Sequence, residues 1–154
     1  MTHSPSPLEG SAADRVAALT PENPYLSTER KPRLLIVGAG MMGREHLRVS
    51  QLLGWADVQG IVDPNGGSLE WACADWRLLT SAPLTIYRDL NEACGDEAVD
   101  AIVIATPNHT HRDVLHAVAS SHKPVLLEKP MATTLADAMD IVNLARDYPA
   151  VIQL

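Results

Sequence analysis

From Arg33 onward, short unbroken apolar runs alternate with longer segments in which apolar residues recur every three or four positions. The runs at 34–37, 101–105 and 124–127 contain no polar residue. Such runs suit strands buried on both faces, as in a parallel sheet. Residues 58–62 read as another strand, 84–87 as a short one, and 150–154 as the start of a last one. The segments between them carry helical stripes. Residues 41–53 predict a helix whose sheet-facing side collects Met42, Gly43, His46, Ser50 and Leu53. Leu69, Ala72, Cys73 and Trp76 recur at i, i+3, i+4 and i+7, with Ser68 as the expected cap. Asp89 is placed to cap a short helix reaching about Cys94, and Asn108 to cap one with the stripe His111, Val114, Leu115 and Val118. Thr134 and Asp137 have the spacing of a capping box ahead of Leu135, Ala138, Met139, Val142 and Ala145. This alternation predicts an α/β fold: a doubly wound parallel sheet in which the strand at 34–37 lies between those at 58–62 and 101–105.

Residues 1–31 break the pattern. They hold Pro5, Pro7, Pro21 and Pro24 among many Ser, Thr and Glu residues, and bury too little apolar surface to offset ordering entropy. The expectation is a disordered arm at 1–31, with one short helix over 12–19 capped by Ser11, followed by a single domain at 32–154.

Composition excludes several classes. A net charge of −7 argues against nucleic acid or an anionic membrane as the partner. No apolar run approaches membrane-spanning length, and the start lacks the layout of a secretory signal. Glu9, Asp14, Glu22 and Glu29 speak against an organelle transit peptide. The two cysteines, Cys73 and Cys94, have neither metal-site nor redox spacing, so reduced thiols in a cytoplasmic protein are expected and no metal is. Nothing in the sequence sets an oligomeric state.

Chemistry enters where the first apolar run meets Gly38, Gly40 and Gly43. In a strand–turn–helix unit, the first glycine permits the tight turn. The second lets a pyrophosphate approach the backbone, and the third lets the helix pack on the strand. Unpaired N–H groups at the helix start then face the anion. Asp63 follows the second strand, about 20 residues past Gly43, where a carboxylate accepts hydrogen bonds from a ribose diol and repels a 2′-phosphate. The constellation predicts dinucleotide binding, with NAD favoured over NADP. The loop from Thr106 to His111 follows another buried strand and should border the nicotinamide half. Glu128 and Lys129 end the run at 124–127. A charged pair there is hard to explain by packing, whereas a lysine could hydrogen-bond a substrate hydroxyl or steady developing charge. His46 and His111 sit on helix faces, where packing is the expected role, and Cys94 has no basic neighbour in sequence to activate it.

Three motifs in order resemble one family. They are Gly38-Ala39-Gly40-Met41-Met42-Gly43 with His46 after it, the loop Thr106-Pro107-Asn108 through His111, and Glu128-Lys129-Pro130. Together they resemble the Rossmann-type NAD(P)-binding domain of the Gfo/Idh/MocA oxidoreductases, over about residues 33–154. The resemblance implies that Gly38, Gly40, Met41, Met42 and Gly43 lie along the cofactor and that Asp63 takes the adenine ribose. It implies that Thr106, Pro107, Asn108 and His111 line the nicotinamide side. Glu128 and Lys129 would stand at the reaction centre, with Lys129 the catalytic residue contacting a sugar or cyclitol and the Lys129–Pro130 bond cis. Family members continue into a substrate domain that has no counterpart here, so a cofactor-binding module without turnover is the alternative to an oxidoreductase. A methyltransferase also uses a glycine-rich turn but gives no reason for the Glu128-Lys129-Pro130 motif.

Overall fold

The computed structural model describes residues 30–154, and the expectations for an N-terminal arm and its short helix lie outside the described residues. Six parallel strands form one sheet in the order β3-β2-β1-β4-β5-β6. They are β1 (Arg33–Val37), β2 (Asp57–Val62), β3 (Thr85–Ile86), β4 (Ala101–Ile104), β5 (Val125–Leu127) and β6 (Ile152–Gln153). The strand at the start of the glycine motif thus lies between β2 and β4, as the apolar runs predict. Chain direction across the sheet reverses beside β1, which opens a crevice at the carboxyl ends of β1 and β4.

Side chains alternate across each strand and sort the core into two layers. Leu35, Val37, Ile102, Ile104 and Leu127 face one side. They pack on α3 (Leu90–Gly95), α4 (His111–Ala119) and α5 (Leu135–Asp147) through Ala93, Leu115, Val118 and Ile141. Ile36, Ile61 and Val103 face the other side and pack on α1 (Met41–Leu53) and α2 (Gly66–Leu79) through Leu47, Ala72 and Trp76. The Trp76 Nε1–H also donates to the Ala82 carbonyl at 2.8 Å, so its polar edge is satisfied inside the layer.

Several local expectations are corrected. Helix α1 has the predicted bounds, but Gly43 and Leu47 are its buried residues, while Leu53 is 53% exposed. The inward stripe is centred one position away from the expected one, and the last turn runs clear of the sheet before Gly54. Helix α2 is capped by Asn65, whose side chain accepts from the Ser68 N–H at 3.0 Å, so Ser68 lies inside the helix. Asn108 does not cap α4: residues Asn108–Thr110 form a short 3-10 turn, and α4 starts at His111 without a side-chain cap. Asp89 and Thr134 cap α3 and α5 as expected, accepting from the Glu92 and Asp137 N–H groups at 2.8 and 3.1 Å.

Candidate cofactor site

The glycine turn joins β1 to α1, and its three glycines are held by different constraints. Gly38 has φ +102°, and a Cβ there would lie 2.7 Å from the Ala105 carbonyl oxygen. Its N–H donates to Val62 at 2.9 Å, so the turn is stitched to β2. A Cβ on Gly43 would lie 1.8 Å from the Gly38 carbonyl oxygen, which shows how closely α1 approaches the turn. Gly40 differs: its φ is an ordinary −69°, and nothing lies within 4 Å of where its Cβ would be. The chain's own packing therefore does not require a glycine at 40. Helix α1 starts at Met41 with no side-chain cap and no acidic residue in its first turn, which leaves its first N–H groups open to an anion.

Asp63 closes the other side of the turn. Its Oδ2 accepts from the Ala39 N–H at 2.7 Å and its Oδ1 from the Asn65 N–H at 2.7 Å. Between these parts runs a cleft of about 770 Å³. Gly38, Gly40, Met41, Met42 and Asp63 line it from the β1 and β2 side, and Thr106 and Pro107 from the β4 side. Seven of the residues expected along a cofactor thus meet on one surface. The cleft has the size of a small-molecule site, and its open helix start and half-buried carboxylate suit a dinucleotide's pyrophosphate and ribose. Thr110, from the loop expected to border the nicotinamide half, lines it as well, and Arg88 and Leu90 line it without having been expected. Arg88 follows the run at 84–87, so the strand-end rule already placed it near the crevice. Thr110 Oγ1 lies 2.9 Å from Thr106 Oγ1 and donates to the Pro107 carbonyl at 2.7 Å, which folds the loop after β4 on itself.

A family model described as an oxidoreductase family with an NAD-binding Rossmann fold matches residues 32–154. The chain belongs to the Gfo/Idh/MocA family. Among curated relatives, it is 35% identical over 111 residues to inositol 2-dehydrogenase 1 of Saccharopolyspora erythraea, covering 71% of this chain and 32% of that one. It is 34% identical over 124 residues to inositol 2-dehydrogenase of Acidothermus cellulolyticus, covering 80% and 35%. The fold matches a myo-inositol dehydrogenase from Lactobacillus casei in complex with NAD(H) and myo-inositol. That match has a TM-score of 0.71 and 26% identity, and covers 80% of this chain and 36% of that one. The chain therefore spans about a third of the length of the relatives it matches, and corresponds to their NAD-binding domain.

Gly43, Asn108, His111, Glu128 and Lys129, also expected at the site, do not line the cleft. Gly43 lies beneath the turn, and Asn108 is half-buried in the 3-10 turn. His111 is buried, with Nδ1 at 3.1 and 3.3 Å from the carbonyl oxygens of Pro130 and Met131 and Nε2 at 3.0 Å from that of Thr106. Its ring ties the loop after β4 to the loop after β5. Glu128 directly follows β5, and its N–H donates to Ile104 at 3.0 Å. Its side chain lies 2.9 Å from His46 Nε2 and accepts from the Lys129 N–H at 3.1 Å. Burial pushes the Glu128 carboxyl up. The hydrogen bonds from His46 and the Lys129 N–H, with the charges beside them, outweigh that and hold it below the usual glutamate range. Lys129 keeps a 75% exposed side chain, and the Lys129–Pro130 peptide bond is cis, as the resemblance implies. The contact between His46 and Glu128 was not foreseen; the two are 82 residues apart and no local pattern links them.

Proposed function

We propose that the chain binds NAD in the cleft and forms the cofactor half of an oxidoreductase that moves a hydride between nicotinamide and a secondary alcohol of a sugar or cyclitol. The single observation that carries this is the convergence of an uncapped helix start, a glycine whose missing side chain serves no internal packing, and Asp63 on one cleft of a family member. The cofactor, when bound, supplies the hydride chemistry. The chain's own residues do the rest. The first N–H groups of α1 take the pyrophosphate, Asp63 takes the adenine ribose diol and disfavours a 2′-phosphate, and Thr106 and Pro107 border the nicotinamide side. Lys129 would reach a substrate hydroxyl and help move its proton. The relatives named as inositol dehydrogenases, one of them in complex with NAD(H) and myo-inositol, support that substrate class.

A second reading, a cofactor-binding module without turnover of its own, is favoured by Lys129 itself. Its side chain is 75% exposed and lies outside the cleft lining, so nothing among the described residues walls a substrate against it. Holding the reactants in place supplies about 7–11 kcal/mol of such a barrier, and most of that needs a closed site. Calorimetric titration of the chain with NAD, NADP and S-adenosylmethionine tests binding, and absorbance of NADH with inositols and aldoses tests turnover. Saturable NAD binding without NADH production is expected. Binding of S-adenosylmethionine in place of NAD would overturn the assignment. Turnover lost in Lys129→Ala would overturn the module reading.

A further inference from the structure

We propose that His46 is a positioning residue for Lys129, acting through the carboxylate of Glu128. The proposal rests on the reading that places Lys129 at the reaction centre. His46 lies on α1, the helix whose start forms the glycine turn, and Glu128 lies at the carboxyl end of β5. Their side chains are 22% and 16% exposed and meet at 2.9 Å between Nε2 and Oε1. The other Glu128 oxygen, Oε2, accepts from the Lys129 N–H at 3.1 Å and stands 3.9 Å from Lys129 Nζ. Both carboxylate oxygens are thus engaged, one by the cofactor helix and one by the backbone of the lysine turn.

The geometry explains why an imidazole rather than an apolar ring occupies this place. A half-buried carboxylate with one unpartnered oxygen is costly, and it rotates to find a donor. The Lys129 ammonium is a donor within reach, already 3.9 Å from Oε2. By occupying Oε1, His46 keeps Glu128 seated on the Lys129 backbone and leaves the amine loosely held and exposed. From the opposite side, His111 holds the carbonyls of Pro130 and Met131. The segment 128–131 is therefore pinned from two helices, α1 and α4, and Lys129 projects from a fixed base. A packing role for His46 would require only bulk; the aimed Nε2 is what the proposal explains.

The test uses the whole chain with His46→Phe, which keeps ring bulk, and His46→Gln, whose side-chain amide can still donate to Oε1. His46→Ala serves as a second apolar variant in case the phenyl ring prevents folding. Two readouts report on Lys129: hydrogen exchange of its backbone amide, and the rate at which its amine is acylated by an N-hydroxysuccinimide ester, followed by mass spectrometry of the peptide. In the apolar variant the released carboxylate turns to the amine. The Lys129 amide then exchanges about tenfold faster or more, and acylation slows several-fold. The Gln variant stays close to the parent in both, and the Glu128 amide, bonded to Ile104, is unchanged in all. A parent-like value of either readout in the apolar variants overturns the proposal, as does a Gln variant that behaves like them. Neither readout needs cofactor. A parent that fails to bind NAD would therefore sink the functional reading while leaving this result standing, and a parent that binds NAD with an unmoved Lys129 would sink this inference alone.

Discussion

Asp63 reaches back from the end of β2 to the glycine turn, where its Oδ2 accepts from the Ala39 N–H at 2.7 Å. The residue proposed to read the ribose is thus also a clamp on the turn proposed to hold the pyrophosphate. Each carboxylate oxygen has two lone pairs, so bonds to the Ala39 and Asn65 N–H groups leave acceptor capacity for a diol. Asp63→Ala removes both functions. NAD affinity should fall by about 1.5–3 kcal/mol, the range for hydrogen bonds to a charged group. NADP should lose less, because its phosphate no longer meets a carboxylate. Calorimetric titration of both cofactors decides between the two roles: equal losses would assign the whole effect to the turn.

The glycines offer a cleaner separation of fold from ligand. A Cβ at Gly43 would sit 1.8 Å from a backbone oxygen, whereas one at Gly40 meets nothing within 4 Å. Gly43→Ala should therefore destabilise the chain by about 1–3 kcal/mol or more, as overpacking does. Gly40→Ala should melt within a few degrees of the parent yet bind NAD more weakly, because its methyl group occupies space the pyrophosphate needs. Thermal melts beside binding titrations check the pair. A Gly40→Ala chain that binds normally would move the pyrophosphate elsewhere.

His111 gives a third test. Its ring is buried with both nitrogens against carbonyl oxygens from two loops, and His111→Leu removes whatever N–H the ring directs at them. A loss of about 1–3 kcal/mol in stability is expected from the unpaired buried acceptors. NAD binding should weaken as well, since Thr106 belongs to the cleft. Urea unfolding and titration measure both. A variant as stable as the parent would show that ring packing alone holds the loops.

The parts of this molecule legible in the sequence are those fixed by local pattern. The runs at 34–37 and 101–105 read as buried strands, and they pair side by side in parallel. The caps at Asp89 and Thr134 were equally readable, because each polar residue directly precedes its helix. Ser68 misled because Gly66 and Gly67 look like turn residues, although they form the first turn of α2 behind Asn65. Leu47 was missed because a stripe drawn from Met42 to Leu53 is centred one position off the buried line through Gly43. Seven of the residues that line the cleft were legible, since strand ends, glycine spacing and Asp63 are all short-range signals. The pairing of His46 with Glu128 and the three carbonyls around His111 were not, because they depend on how α1 and α4 dock against the loop after β5.

The last prediction concerns pH and lies away from the cleft. The Tyr87 hydroxyl donates to Asp96 Oδ2 at 2.6 Å. Burial, then this bond and the Asp96 charge, push the phenol up to about 12. The bond from Tyr87, followed by one from the Ala98 N–H, holds the Asp96 carboxyl below the usual range despite its partial burial. For Asp96 the folded value is depressed, so its contribution is complete above the unfolded value near 4 and is lost as pH falls through the folded value. For Tyr87 the folded value is raised, so its contribution is complete below the unfolded value near 10 and is lost as pH climbs towards the folded one. Tyr87→Phe should therefore cost about 1–2 kcal/mol at neutral pH, the scale of a partly exposed hydrogen bond to a charged acceptor. The gap between parent and variant should narrow on both sides, below about pH 4 and above about pH 10. Urea midpoints of the two chains across that range measure the gap directly. A difference that stays constant with pH would mean that the phenol contributes packing alone, with no stabilisation from its bond to Asp96.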